Sequence, residues 1–224
     1  MEDGLWKRNL PNGAGRRQDE TEGKNCIFAM EHAQITKIHA EGRKSTYACI
    51  VVDFHPQKDD PNRVRITAGG NLIQCPGELT TRTADLTTTK KNWNSVISTE
   101  GARYACVDVG NFYLETPLER DEYMKMPLLL FPPWTCTQHN LDEKALNGFV
   151  YWEIHKAIYG LPNAGRLTNE QLRQKLKPAG FYEVAHTPGL WKHKRQPIQL
   201  SLIVDNFGVK YMGKEHIDYL LTSL

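Results

Sequence analysis

Close cysteine pairs are missing from this chain. Its five cysteines, Cys26, Cys49, Cys75, Cys106 and Cys136, are odd in number and widely spaced, and no CxxC occurs. That argues against a disulfide framework or a zinc site and for a reducing compartment. Long apolar runs are missing too. The longest are a few residues, far short of the ~20 needed to cross a bilayer. No basic and then apolar leader opens the chain, which starts Met1, Glu2, Asp3. Charge of one sign is not in excess: 28 Lys and Arg stand against 26 Asp and Glu, a net +2. Total charge therefore does not mark a nucleic-acid binder. No internal repeat or low-complexity tract is visible. These absences leave the expectation of a soluble intracellular protein, cytoplasmic or nuclear, with no membrane partner.

What is there is ordinary globular composition. Of 224 residues, 40% are apolar and 24% charged, enough for one or two domains with real cores. Local charge says more than total charge. Residues 166–195 hold Arg166, Arg173, Lys175, Lys177, Lys192, Lys194 and Arg195 against only Glu170 and Glu183. Such a stretch can track a phosphate backbone or form a solvated helix face. Charge alone favours the second.

The patterning predicts mixed elements. Residues 1–25 read as a mobile polar tail, and 25–44 are weakly patterned. Residues 45–54 are β-branched and apolar, 55–62 (HPQKDDPN) form a turn cluster, and 63–67 (RVRIT) alternate, which predicts a β-hairpin with Arg63 and Arg65 on one face. A helix is expected over 83–99 with Leu86, Val96 and Ile97 inward. A buried strand is expected over 102–108, ending on Asp108. Loop and short helix are expected over 110–127, irregular chain over 128–147, and a strand over 149–154. An amphipathic helix is expected over 166–176 with Leu167, Leu172 and Leu176 inward. Strands over 189–192 and 198–204, a tight turn at Asp205-Asn206, a return strand over 207–212 and a helix from His216 complete the chain. Strands and helices mix without strict alternation, so the fold class is α+β.

Two carboxylates stand out. Asp108 ends the apolar run Ala105-Cys106-Val107, and Asp205 sits at the tip between two apolar strands. Burying unpaired carboxylates side by side costs several kcal/mol, roughly, and a divalent metal would supply the counter-charge. Taken singly, Asp108 also reads as a strand-end cap and Asp205 as a turn residue. Both readings stay open on pattern alone.

Three longer segments carry a resemblance. DVGNFYLETPLERDEYMKMP (108–127), IHKAIYGLPNAG (154–165) and LIVDNFGVKYMGKEH (202–216) resemble the central motifs of copia-type retrotransposon reverse transcriptases. RVRITAGGNLIQCPG (63–77) with TADLTTTK (83–90) is similar to the fingers segment upstream of them. The likeness runs from about residue 26 to the end, in the family's order. It implies a right-hand polymerase with an antiparallel palm sheet backed by helices. Fingers would cover about 45–90 and 118–162, and palm about 91–117 and 163–224. It also implies a template of RNA or DNA with its primer, deoxynucleoside triphosphates, two Mg²⁺ or Mn²⁺ ions, and a longer polyprotein. Thumb, RNase H and integrase are expected outside this chain.

Carried over residue by residue, Asp108 matches the first metal ligand and Asp205 the first aspartate of the family's Asp-Asp turn, with Val109 beside them in the metal set. Val109, Gly110, Asn111 and Phe112 would offer backbone amides to the triphosphate. Tyr113 matches an aromatic whose ring fills the space of a ribose 2′-hydroxyl; without the resemblance a core aromatic is the better reading. Arg63 and Arg65 match basic fingers positions, where the guanidinium fork suits phosphate oxygens. Two positions depart from the pattern. Asn206 stands where the family has its second aspartate, which removes a charge from the catalytic set. Asn163 stands where the family has a nucleotide-contacting Gln. The expected activity is RNA-directed DNA synthesis, impaired in this copy. The alternative is a non-catalytic remnant with at most weak nucleic-acid binding.

Overall fold

A computed structural model of the chain describes residues 26–54, 56–57, 61–75, 77–110 and 112–224. The expected tail at 1–25, much of the turn cluster at 55–62 and Asn111 lie outside them. The described residues form a mixed α+β protein with two five-stranded sheets and six helices. The chain divides into two compact units, Met1–Glu78 with Tyr113–Ala164, and Leu79–Phe112 with Gly165–Leu224.

The first unit holds β1 (Ile27–Ala29), α1 (His32–Ala40), β2 (Thr46–Phe54), β3 (Asn62–Ala68), β5 (Pro117–Pro127), α3 (Pro133–His139), α4 (Leu141–Lys144) and β6 (Phe149–Lys156). Its sheet runs β1-β6-β5-β2-β3, antiparallel except where β2 meets β5. The two-residue period of a strand divides its core. On β6, Val150, Trp152 and Ile154 enter one cluster with Met124, Met126, Ile158 and Leu161. Tyr151 points the other way, into a cluster with Met30, Ile35, Ile38 and Tyr123 beneath α1. Each fully buried large side chain contributes about 1.5–3 kcal/mol. The hairpin predicted around 45–67 is present, with Ile50 opposite Ile66 and Val51 opposite Arg65.

Two expectations fail in this unit. Residues 117–127 are an 11-residue strand, not loop and short helix. Their run of charges hid a strand that lies between β2 and β6 and buries Tyr123, Met124 and Met126. Residues 128–147 are not irregular throughout, since the tandem prolines open α3, where a missing N–H costs nothing.

The second unit holds α2 (Leu86–Ile97), β4 (Arg103–Asp108), α5 (Ala164–Leu176), whose first residue falls in the other unit, β7 (Phe181–Glu183), β8 (Leu190–His193), β9 (Ile198–Ile203), β10 (Asn206–Tyr211) and α6 (Lys214–Ser223). Its sheet, β4-β10-β9-β8-β7, is antiparallel throughout. Register sorts its faces. Trp191, Leu200, Val209 and Ala105 form one cross-strand row, and the first three are fully buried. The opposite face carries the row Tyr104, Lys210, Gln199, Lys192 and Tyr182. Leu167, Leu172 and Leu176 of α5 are buried as expected.

Helix α2 reverses the expected burial. Leu86 is 67% exposed and Ile97 73%, while Asn92 is 2% exposed. The reason is the polar face of the sheet. Asn92 donates to the Gly208 carbonyl (2.8 Å) and accepts from Gln199 (2.8 Å), and Lys210 donates to the Ser95 carbonyl (2.8 Å) and the Thr99 hydroxyl (2.7 Å). A buried polar side chain must find partners, and α2 supplies them with its polar stripe. Burial holds the Lys210 amine below its usual range, with Lys192 acting the same way.

Candidate functional site

The second unit brings Asp108 and Asp205 to one end of its sheet. Asp108 closes β4 and stands opposite Asn206, the first residue of β10. Ile203 pairs with Asn206, so the hairpin turn is Val204-Asp205 and not Asp205-Asn206. The correction follows from the backbone. Tight two-residue hairpins need positive φ at their first central residue, and Val204 has φ +57°. A β-branched residue there stores about 1–2 kcal/mol of strain. Moving the turn by one places Asn206 in the ladder, on the same sheet face as Asp108.

The contacts at this end are specific. The Val109 N–H donates to the Asp205 carbonyl (3.1 Å), tying the residue after Asp108 to the turn. The Asn206 side-chain amide donates to Asp205 Oδ1 at 2.7 Å. Of the amides expected to face a triphosphate, that of Val109 is thus engaged, Gly110 is exposed, and Phe112 is buried in a 3-10 turn. The carboxylates are not buried as the sequence suggested: Asp108 is exposed and Asp205 half-buried. The desolvation argument for a counter-ion therefore has no force here, and the donor chemistry must carry the case. All donors at this end are oxygen, which suits a hard dication. They offer two carboxylates and an amide, and one Asp205 oxygen is already taken by Asn206.

The other expected residues lie in the first unit. Arg63 is placed in β3 by its backbone alone. Arg65, half-buried, has its guanidinium carbon 5.4 Å from the centroid of the Tyr159 ring. Tyr159 in turn meets Tyr113 edge to face, at 4.9 Å and 84°. Tyr113 also packs on the main apolar cluster of this unit, so part of its ring does core work. Arg65 Nε and Asn163 Oδ1 are buried without a hydrogen-bond partner. Ser45, Thr168, Trp191 and Gln196 hold such atoms too, so this feature does not by itself mark Arg65 and Asn163 as nucleotide contacts.

The turn before Asn163 is packed against the strand bearing Arg65. The Ala68 N–H donates to the Tyr159 carbonyl (2.8 Å). Gly160, at φ +93°, lies so close that a Cβ would fall 2.0 Å from the Ala68 carbonyl oxygen. Only glycine fits both demands. Two of the motif segments thus meet in one unit, and Tyr159, which links Arg65 to Tyr113, was not singled out in the sequence.

A second cluster was also missed. Asp121 on β5 and Glu153 and His155 on β6 place one ligand atom each within 4.8 Å of one another and could hold a metal ion. His155 Nδ1 is 3.6 Å from Asp121 and Nε2 is 3.1 Å from Glu153. The edge of Phe28 and the Tyr123 hydroxyl, which donates to Glu153 at 3.5 Å, fix the group from the sides. The Glu-x-His spacing on a strand was the available signal. Its partner was invisible while 117–127 read as loop.

The basic stretch at 166–195 is partly neutralised internally. Arg166 pairs with Glu170 (2.9 Å) and Arg173 with Glu183 (2.8 Å), and Lys175 donates to the Leu224 carbonyl (2.6 Å). No helix of the described residues is long and apolar enough to cross a membrane. No protein-family model matches the chain.

Proposed function

We propose that this chain is the fingers and palm of a copia-type reverse transcriptase, with RNA-directed DNA synthesis as its chemistry. The observation that carries the reading is the sheet end where Asp108 stands opposite Asn206 with Asp205 in the adjoining turn. Two carboxylates nearly a hundred residues apart in sequence converge there, both from segments that resemble the family's motifs. The second unit then holds most of the palm, with 79–90 of the fingers, and the first most of the fingers, with 113–117 and 163–164 of the palm. Two divalent ions, Mg²⁺ or Mn²⁺, would supply acidification of the primer 3′-hydroxyl and neutralisation of the departing pyrophosphate. Asp108, Asp205 and Val109 would hold them. Arg63 and Arg65 would grip phosphate oxygens, Tyr113 would exclude a 2′-hydroxyl, and Asn163 would contact nucleotide or template. Primed RNA or DNA and deoxynucleoside triphosphates are the implied partners, with thumb, RNase H and integrase elsewhere in a polyprotein.

One contact favours a second reading, a remnant without catalysis. An amide nitrogen, not a carboxylate, lies 2.7 Å from Asp205 Oδ1. Primer extension on a primed template with Mg²⁺ or Mn²⁺ separates the two, using the chain joined to the thumb region of a related element, in its own sequence and as Asn206→Asp and Asp108→Asn. Extension that rises with Asn206→Asp and vanishes with Asp108→Asn supports the polymerase. Extension indifferent to Asp108→Asn refutes it, and silence in all three forms favours the remnant. Mn²⁺ binding followed by paramagnetic resonance gives a readout apart from activity.

A further inference from the structure

One cavity in the first unit lies among cations. It measures about 160 Å³, and Arg43, Lys44, Arg120, Glu122, Leu72 and Ile73 are among its lining residues. Three positive side chains face one carboxylate there. Local structure explains the convergence. Helix α1 ends in a Schellman turn, with the Arg43 N–H on the Ile38 carbonyl and the Gly42 N–H on that of His39 (both 3.0 Å). Gly42 takes φ +71°, which glycine adopts freely, and Arg43 and Lys44 follow it directly. Arg120 comes from β5 and is held by Glu122 through Nε (3.2 Å) and Nη2 (2.7 Å), and by the Gln74 carbonyl (3.2 Å).

The charges do not balance. Glu122 neutralises Arg120 and holds its guanidinium still more firmly protonated. Arg43 is half-buried, yet its partners are neutral oxygens: the Tyr123 hydroxyl (3.0 Å) and the Asp121 carbonyl. It also stacks 4.5 Å from the Tyr123 ring centroid. Lys44 is exposed and has no hydrogen-bond or ion-pair partner among the described residues. Within the lining two positive charges touch no carboxylate directly: Lys44, and the partly desolvated Arg43, which reaches Glu153 only through the Tyr123 hydroxyl. A half-buried cation asks for an anion. The guanidinium of Arg43 uses two of its N–H groups on these partners and retains others for a ligand.

We infer that this cavity is a phosphate-binding pocket, distinct from the Asp108–Asp205 end of the other unit. Guanidinium forks and an ammonium at one concave site match the tetrahedral oxygens of a phosphate dianion. The volume admits a phosphate or pyrophosphate group. Leu72 and Ile73 supply an apolar wall. The group recognised is a terminal phosphate, whether free as pyrophosphate or at the 5′ end of a nucleic-acid strand. The inference does not rest on the polymerase reading.

The test is titration calorimetry of the full chain with pyrophosphate at about 0.1 M salt, with EDTA present so that no divalent ion contributes. Lys44→Glu is the principal variant, because Lys44 holds no other residue in place. Pyrophosphate should bind the chain, Lys44→Glu should weaken it about tenfold, as expected when a nearby charge is reversed, and Asp108→Asn should leave it unchanged. Competition by a 5′-phosphorylated oligonucleotide but not its 5′-hydroxyl form identifies a strand end as the source. Competition by neither identifies free phosphates. Absence of pyrophosphate binding at millimolar concentration, equal binding by the chain and Lys44→Glu, or loss with Asp108→Asn overturns the pocket.

Discussion

Asn206→Asp is the perturbation on which most turns. In the ladder Asn206 stands opposite Asp108, and its amide donates to Asp205 Oδ1 at 2.7 Å. The substitution keeps size and removes that donor, leaving three carboxylates at one exposed sheet end. Without a cation the change should destabilise. A lost hydrogen bond to a charged group is worth about 1.5 kcal/mol, and the new like-charge contact adds to it. For a chain of this size the melting temperature should fall by roughly 4–6 °C in EDTA. With a divalent cation the sign reverses. A unit charge ~4 Å from a dication gains about 2 kcal/mol even at the dielectric of water. Exposure of Asp108 and Asn206 argues for that lower limit. Ion binding should tighten by about 1–2 kcal/mol, roughly five- to thirtyfold. Mn²⁺ titration gives the affinity, and thermal melts in EDTA and in Mn²⁺ give the reversal. An Asn206→Asp chain with unchanged Mn²⁺ affinity, or one no more sensitive to EDTA than its parent, would show that this sheet end is not a cation site.

Other consequences follow from the packing. Gly160→Ala places a Cβ 2.0 Å from the Ala68 carbonyl oxygen at φ +93° and should cost more than about 2 kcal/mol; a melting temperature within a degree of the parent would refute the close approach. Asn92→Ala removes partners from Gln199 and Gly208 and should cost about 1–3 kcal/mol, whereas Ile97→Ser, at a position 73% exposed on the same helix, should cost less than about 1 kcal/mol. Denaturant melts giving the opposite order would overturn the burial of α2. Asp85 caps α2 by accepting from the Thr88 N–H (2.6 Å), and that bond holds its carboxyl below the ordinary 3.8. Its folded value is the lower one, so its stabilisation is full above 3.8 and disappears as pH falls through the folded value. Asp85→Asn should keep the cap and flatten that part of the acid limb, and an unchanged acid limb would argue against the cap's titration.

The sequence by itself determined what depends on local period and local chemistry. The leucines of α5 gave its buried face, the alternation at 63–67 gave the outer strand of the first sheet, and the turn residues bracketed the hairpins. The order of strand and helix patterns placed the chain among mixed α+β proteins. Tertiary structure decided whatever depends on what a segment packs against. Residues 117–127 look too charged for a strand, and become one because neighbours on both sides satisfy the backbone. Helix α2 turns its polar stripe inward because the sheet beneath it presents Gln199, Ser201 and Lys210. The turn at 204–205 took a strained valine because pairing of Asn206 with Asp108 fixed the register. Residue types announced Asp108 and Asp205 as candidates, but only the ladder brought them to one sheet end. The anchoring of Tyr113 and Arg65 on Tyr159, the Asp121–Glu153–His155 cluster and the cationic cavity were written in no single segment, since each joins residues that meet only when distant strands pair.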